Sequence, residues 1–282
     1  MWGPALAGPT SDSIESVMRA GILAAGAGSR LGDQDAVPKP LRRVAGTPLI
    51  ERVVEDLERA GATDVHIIIN AESIAIREYL DRTTRSSRLQ WIVETTPSSM
   101  HSFFRVLESL SAFPADAPYA ISTVDVVAPP RTFQRFRERA DAGHADVTFA
   151  VTSRIDEDRP LRIDIDERSG GVRSIGGEDG GWATAGYYLV QPTVLRERNA
   201  AEAAGFSALR AFFGHLHATG YRLAAVPMGD SVDVDSPPDI IAAEELLAAV
   251  SSRNAKAAKL AKKTFGLAVF AVFAFLNAVA RT

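Results

Sequence analysis

Short apolar runs rich in β-branched residues alternate along the chain with longer stretches whose apolar positions recur every three or four residues. RAGILAA (19–25), DVHIIIN (64–70), LQWIVE (89–94) and YAISTVD (119–125) have the length and polar boundaries of buried strands. Between them, LIERVVEDLERAG (49–61), SIAIREYLDR (73–82), SMHSFFRVLESL (99–110) and RTFQRFRERADAG (131–143) carry the helical period. That alternation predicts repeated βαβ units: a parallel sheet covered by helices on both faces, with ligands collecting beyond the carboxyl ends of the strands.

Past residue 145 the pattern changes. DVTFAVTS, LRIDIDE, GVRSIGG and WATAGYYLV read as strands without long helices between them, and IDIDERSGGVRSI reads as a hairpin turning at Ser169-Gly170-Gly171. TVLRERNAAEAA and FSALRAFFGHLHATG read as helices. YRLAAVPM and SVDVD follow as strands, and a last helix starts near Pro237-Pro238, where proline suits a first turn. The expectation is a Rossmann-like three-layer α/β/α sandwich around a mostly parallel mixed sheet.

The composition of the 282 residues changes this picture only at the ends. With 46% hydrophobic and 23% charged residues the chain can bury a core, and a net charge of −4 supplies no global basic excess for nucleic acid. The absence of cysteine excludes disulfides, thiolate nucleophiles and sulfur-ligated zinc. Residues 1–17 carry Gly, Pro and Ser without a signal-peptide pattern, and are expected to be a flexible lead-in to a cytoplasmic protein. Residues 18–250 make one domain without internal repeat or linker. Residues 251–282 run from a basic cluster (Lys256, Lys259, Lys262, Lys263) into FGLAVFAVFAFLNAVA, Phe265 to Ala280. As a helix that apolar run covers roughly 24 Å, short of the about 30 Å of a hydrocarbon core. The tail therefore either associates with a membrane, its lysines attracted to anionic lipid, or packs on this domain or a second subunit.

The strongest local signal is GILAAGAGSRLGDQDAVPKPL, residues 21–41. A strand runs into a loop holding Gly26, Gly28 and Gly32 and then reaches Arg30 and Lys39. Glycines let backbone amides approach phosphate oxygens, and the two cations bring fixed positive charge to the same place. The loop lacks the Gly-Lys-Ser/Thr of a Walker motif. As a dinucleotide fingerprint it fails as well, with Leu31 where the third glycine belongs. The same departure, with Asn70 in place of an acidic residue ending the second strand, counts against a dinucleotide-dependent oxidoreductase.

LAAGAGSRLG, PKPL and AGTPLIERVV resemble the signature of the sugar-phosphate nucleotidyltransferases, the superfamily that includes uridylyl-, cytidylyl- and molybdenum-cofactor guanylyltransferases, over about residues 20–250. The resemblance implies that the loop wraps a nucleoside triphosphate. Leu23, Ala24, Ala25, Gly26 and Gly28 would line the nucleotide, and Arg30 and Lys39 would hold phosphates, Lys39 touching the acceptor phosphate too. Ala25 fits the sugar type better than the guanylyl type, which usually has a second glycine there.

Chemistry at an α-phosphate calls for Mg2+ held by carboxylates. Asp125, ending the run YAISTV, stands where the family has its first metal aspartate, with Val124 in place of the usual glycine. The second should come from SVDVDSPPDII, which resembles the family's closing segment. Asp233 and Asp235, spaced by two, share a face of a strand, and Asp235 directly precedes the Ser-Pro-Pro turn. Asp239 reads as a first-turn residue stabilised by the helix dipole.

On the substrate side, Ser98 and Ser99 stand where uridylyltransferases have a Gly-Thr pair that reads the base, and both are candidate helix caps. Trp182, Gly186 and Tyr187 resemble the stretch lining the acceptor pocket, with Gly186 carried over as an acceptor contact. His66, His144, His215 and His217 lack metal-ligand spacing; His101 lies on the helix after the base loop.

The implied activity is Mg-dependent transfer of a nucleoside monophosphate to a sugar 1-phosphate or similar acceptor, with release of pyrophosphate. Two alternatives remain open at this point. One is a cytidylyltransferase acting on phosphocholine or inositol phosphate in a membrane lipid pathway; the other is a non-catalytic nucleotide-binding module. A homo-oligomer is compatible with all three.

Overall fold

A computed structural model of the chain describes residues 18–26, 37–83, 85–113, 117–140, 145–155, 160–177 and 180–257. The lead over 1–17, the loop residues Gly28, Arg30 and Gly32, His144 and the apolar run lie outside the described residues.

In chain order, β1 (Met18–Ala24) is followed by a small hairpin, β2 (Arg43–Val44) and β3 (Thr47–Pro48), and by α1 (Leu49–Arg59). Next come β4 (Ala62–Ile69), α2 (Ile74–Asp81), β5 (Arg88–Val93), α3 (Ser99–Ser111), β6 (Tyr119–Thr123), β7 (Val126–Val127) and α4 (Thr132–Arg139). The second half holds β8 (Val147–Thr152), β9 (Arg162–Ile165), β10 (Val172–Ile175), β11 (Trp182–Val190), α5 (Arg198–Ala203), α6 (Leu209–Ala218), β12 (Leu223–Pro227) and β13 (Val232–Asp233). A final helix, α7, covers residues 237–257 and runs unbroken through residue 250.

The main sheet follows the order β10-β9-β11-β6-β1-β4-β5, with β8 paired to β11 and β12 to β8. The strands β6, β1, β4 and β5 are parallel, whereas β11 is antiparallel to β6, so the expected mixed sheet is what forms. From β1 the chain winds outward through β4 to β5, then crosses back over α3 to place β6 on the other side of β1. The reversal puts a topological switch point between β1 and β6, and open sheets of this kind take ligands in the crevice beyond the carboxyl ends of such strands.

Alternating side chains fill the two faces. Ala20, Ile22, Val65, Ile67 and Tyr187 meet Val53, Leu57, Ile76 and Phe133 of α1, α2 and α4. Tyr119, Ile121, Phe149 and Tyr188 meet Phe103, Phe104, Phe212 and Phe213 of α3 and α6. At Gly21 a Cβ would stand 2.2 Å from Val106 Cγ1, so α3 rests directly on the backbone of β1. The hairpin expected at residues 169–171 forms between β9 and β10, with Gly170 at φ +72°.

One expected helix departs from its pattern. TVLRERNAAEAA opens as a 3-10 segment over Pro192–Glu197 and becomes α-helical only at Arg198.

Candidate active site

Three segments distant in sequence meet at the switch point, and a small apolar cluster brings them there. Val44 and Leu49, just after the first-strand loop, pack on Val127 beyond β6 and on Val232, Val234, Ala243 and Leu246 near the C-terminal end of the described chain. The two-stranded ladder of β13 on β7 and the hydrogen bond from Val234 N to Asp125 O (3.0 Å) fix the register of the last two segments. Ala45 N donates to Glu244 Oε1 at 2.8 Å, tying the first segment to α7.

On this base the side chains of Lys39, Asp125 and Asp235 converge. Lys39 opens a 3-10 turn between Pro38 and Pro40, whose rings restrict the backbone on either side. Its Nζ donates to Asp125 Oδ2 and to Asp235 Oδ1, both at 2.6 Å. The lysine side chain is 9% exposed, against 25% for Asp125 and 44% for Asp235. Burial pulls the Lys39 pKa down, but attraction to Asp125 and the hydrogen bonds to both carboxylates prevail and hold it well above the usual lysine value. Burial pushes the Asp125 carboxyl up, and the Lys39 ammonium more than offsets this, keeping it below the usual carboxylate range.

Asp235 owes its place to a residue that the sequence reading assigned otherwise. Asp239 Oδ2 accepts from Asp235 N (3.0 Å), Ser236 N (2.7 Å) and Ser236 Oγ (2.7 Å), the carboxylate half of a capping box at the start of α7. Asp239 thus orients the peptide carrying Asp235, beyond any interaction with the helix dipole. The S-x-x-D spacing of Ser236 and Asp239 was the available signal. The strand ends at Asp233 and Asp235 lies in the turn, so the two-residue spacing does not decide between them. Asp235 is the one bonded to Lys39, while the charge of Asp233 acts on the Tyr187 hydroxyl.

Beneath the site lies a buried polar pair that sequence reasoning missed. Asp56 of α1 is 3% exposed; it pairs with Arg59 Nη1 at 3.0 Å and accepts from Tyr187 Oη at 3.4 Å. Burial pushes its carboxyl up to about 6, against the pull of Arg59, Arg52 and Tyr187. Burial, and then the neighbouring Asp56, raises the Tyr187 phenol well above its ordinary value. An acidic residue one turn from Val53 and Ala60, on the apolar face of the α1 pattern, was the signal.

Of the remaining expected residues, Leu23 and Ala24 end β1, with Ala24 paired to Ile69, and Ala25 and Gly26 follow; a Cβ at Gly26 would meet nothing within 4 Å. Ser98 is the N-cap of α3: its Oγ accepts from His101 N at 3.5 Å and bonds His101 Nδ1 at 2.8 Å. Ser99 Oγ accepts from Leu209 N at 3.1 Å, joining the start of α3 to α6. Gly186 sits at a register shift of β11 with φ +70°, where a Cβ would stand 2.5 Å from Thr123 Oγ1. Its lack of a side chain lets β11 pass over the end of β6. Trp182 begins β11, paired with Ile163. His66 is buried against Ser109 Oγ (2.7 Å), and His215 bonds Glu197 (2.9 Å). Among the described residues, no group of three or more His, Asp or Glu is placed to hold a metal by itself.

A family model described as the MobA-like NTP transferase domain matches residues 20–230, so the chain belongs to that family. The resemblance carried by the first-strand loop is thereby borne out. Among curated proteins, the chain is 29% identical over 198 residues to a CMP-5'-(3-aminopropyl)phosphonate synthase of Streptomyces rubellomurinus, covering 67% of this chain and 30% of the relative. It is 28% identical to a mannose-1-phosphate guanyltransferase of Emericella nidulans, covering 64% of this chain and 51% of the relative. The chain therefore spans about half or less of the length of these relatives. Among solved structures, an inositol-1-phosphate CTP transferase from T. maritima superposes with TM-score 0.66 at 18% identity, over 79% of this chain and 91% of that one. A UDP-glucose pyrophosphorylase complexed with UDP-glucose gives 0.67 at 14% identity, over 81% and 97%. These likenesses establish the nucleotide-diphospho-sugar transferase fold.

Proposed function

We propose that the protein is a nucleotidyltransferase that joins a nucleoside monophosphate to a phosphorylated small molecule. The observation that carries this reading is the convergence of Lys39, Asp125 and Asp235 on the β1/β6 crevice, in a chain of the MobA-like NTP transferase family. An acceptor phosphate oxygen attacks the α-phosphorus of a nucleoside triphosphate, and the bond from that phosphorus to the bridging oxygen breaks. Its electron pair leaves with pyrophosphate. A phosphate monoester is anionic at neutral pH, so the attack needs no general base. Positioning and charge neutralisation then carry the catalysis.

Each residue has a task in this reading. Leu23, Ala24, Ala25, Gly26 and Gly28 shape the path of the nucleotide, and Arg30 and Lys39 hold phosphates by charge. Ser98 and Ser99 place the base loop, and Gly186 opens the acceptor side. The chemistry of the donor set fits Mg2+: two hard carboxylates already share one cation, and substrate phosphates complete such sites. Asp125 and Asp235 would hold the ion, with Asp233 two residues before Asp235; bound there, it would neutralise charge on the triphosphate and the leaving pyrophosphate. Tyr187 and Asp56 support the floor beneath.

The relatives' names pair guanylyl transfer with a sugar phosphate and cytidylyl chemistry with a phosphonate, and the test must span both. Purified protein with Mg2+ is given each ribonucleoside triphosphate and dTTP, crossed with sugar 1-phosphates, phosphocholine, inositol phosphate and an aminoalkylphosphonate. Release of pyrophosphate by one pair is expected and names the reaction; failure to bind any nucleotide would overturn the proposal.

The use of nucleoside triphosphates favours a cytoplasmic setting. We further propose that Lys256, Lys259, Lys262 and Lys263 with the apolar run from Phe265 to Ala280 attach the domain to an anionic membrane surface. Among the described residues, no helix is long and apolar enough to cross a membrane. The full chain should float with phosphatidylserine vesicles and a chain ending at residue 257 should not; equal behaviour of the two would remove the tail from this role.

A further inference from the structure

Two carboxylates that bond the same atom carry like charges at close range. Asp125 Oδ2 and Asp235 Oδ1 each lie 2.6 Å from Lys39 Nζ, and that ammonium offsets charge on both. The lysine is also the most buried of the three at 9% exposure, set beneath the carboxylates on a turn bracketed by Pro38 and Pro40. An ammonium in this position competes directly with any other cation for the same two oxygens. A divalent ion arriving alone and taking those two oxygens would have to displace it and strip a buried ammonium of these anionic partners, which costs far more than breaking an exposed pair.

A polyphosphate changes that balance, because it offers the displaced ammonium new anionic partners in the same crevice. From this geometry we infer that Lys39 is an internal counter-ion that closes the Asp125–Asp235 pair to divalent cations until a substrate phosphate draws it away. The inference rests on the nucleotidyltransferase reading and adds a regulation of the same site. Metal and nucleotide would then bind with positive coupling, each easing the entry of the other by the same factor. Free divalent ions would leave the empty enzyme largely unoccupied.

The test reads metal binding without nucleotide. Mn2+ is titrated into the full-length chain and free Mn2+ is followed by electron paramagnetic resonance, for wild type, Lys39→Met, Lys39→Arg and Lys39→Met with Asp125→Asn. Thermal transitions report that each is folded. Wild type and Lys39→Arg should bind Mn2+ weakly, Lys39→Met at least tenfold more tightly, and the double variant should lose that gain. Should Lys39→Met fail to fold, Lys39→Gln, which keeps a polar group between the carboxylates, carries the same comparison. Tight binding of Mn2+ by wild type alone, or no gain in a folded variant lacking the charge, would overturn the inference. Pyrophosphate release by wild type is scored separately. Turnover alongside tight metal-only binding would sink the counter-ion and spare the transferase; a gain in Lys39→Met without nucleotide binding by wild type would do the reverse.

Discussion

The two faces of the main sheet are built from different materials. On the face of α3 and α6, rings pack on rings: Phe212 lies 4.8 Å from Phe104 and 5.9 Å from Phe103, and Phe213 lies 4.9 Å from Phe149. The face of α1, α2 and α4 is mostly aliphatic and admits a charge, Asp56, bonded to Arg59 and Tyr187 beneath the crevice. These edge-to-face and tilted rings contribute by buried area, shape and the attraction of ring edge to ring face, without a formal charge. A buried carboxylate costs stability when ionised but fixes hydrogen-bond directions. The comparison teaches that both faces bury a large apolar core, and that the face beneath Tyr187 adds a buried carboxylate to it.

Substitutions can break or sharpen that contrast. The largest effect is expected at the crevice itself: Asp125→Ala should lower turnover by about a thousandfold or more while the thermal transition is kept, as removal of a charge-stabilising group does. Near-normal turnover in the folded variant would remove Asp125 from the chemistry. Phe212→Ala, on the ring-packed face, should cost about 3–5 kcal/mol of unfolding free energy in urea melts and leave the turnover of the folded fraction within about twofold. A larger activity loss would mean that the link from Ser99 to Leu209 carries strain from α6 into the start of α3, and the faces would not be independent.

Asp56→Asn tests the other face through pH. An aspartate whose folded pKa is raised adds stability while protonated, and that contribution is lost as pH climbs from the unfolded value of 3.8 through about 6. The variant should therefore gain on wild type between pH 4 and pH 7, by on the order of 2–3 kcal/mol at most. A gap that stays flat across this window would mean that Asp56 titrates normally. The smallest effect is expected for Asp239→Ala: about 1 kcal/mol from the lost cap, together with a several-fold fall in kcat that Asp239→Asn partly restores. Unchanged kcat in Asp239→Ala would show that the turn holds Asp235 without it.

Periodicity alone located the central strands and their helices, because burial on both faces of a parallel sheet leaves long apolar runs such as Ile67 to Ile69. Lys39, Asp125 and Asp235 were legible for another reason: each stands in a loop after a strand, with a motif around it. The choice between Asp233 and Asp235 was not legible, since it depends on where β13 stops and on the grip of Asp239. Nor was the Asp56–Tyr187 contact, which joins residues 131 apart and exists only once α1 lies on β11. The bulge at Gly186 escaped for the same reason: it depends on how closely β11 passes Thr123.

The hydrogen bond from Lys39 to Asp235 spans 196 positions of the chain, whereas the one to Asp125 spans 86. Loops of that size close late in folding. On a ribosome making about 5–20 residues per second, a nascent chain would display Lys39 and Asp125 for several seconds before Val232 and Asp233 could clip onto β7. Among the described residues, β13 is the last strand to be synthesised, so a nascent chain stopped before it would lack the ladder that brings Asp235 to Lys39.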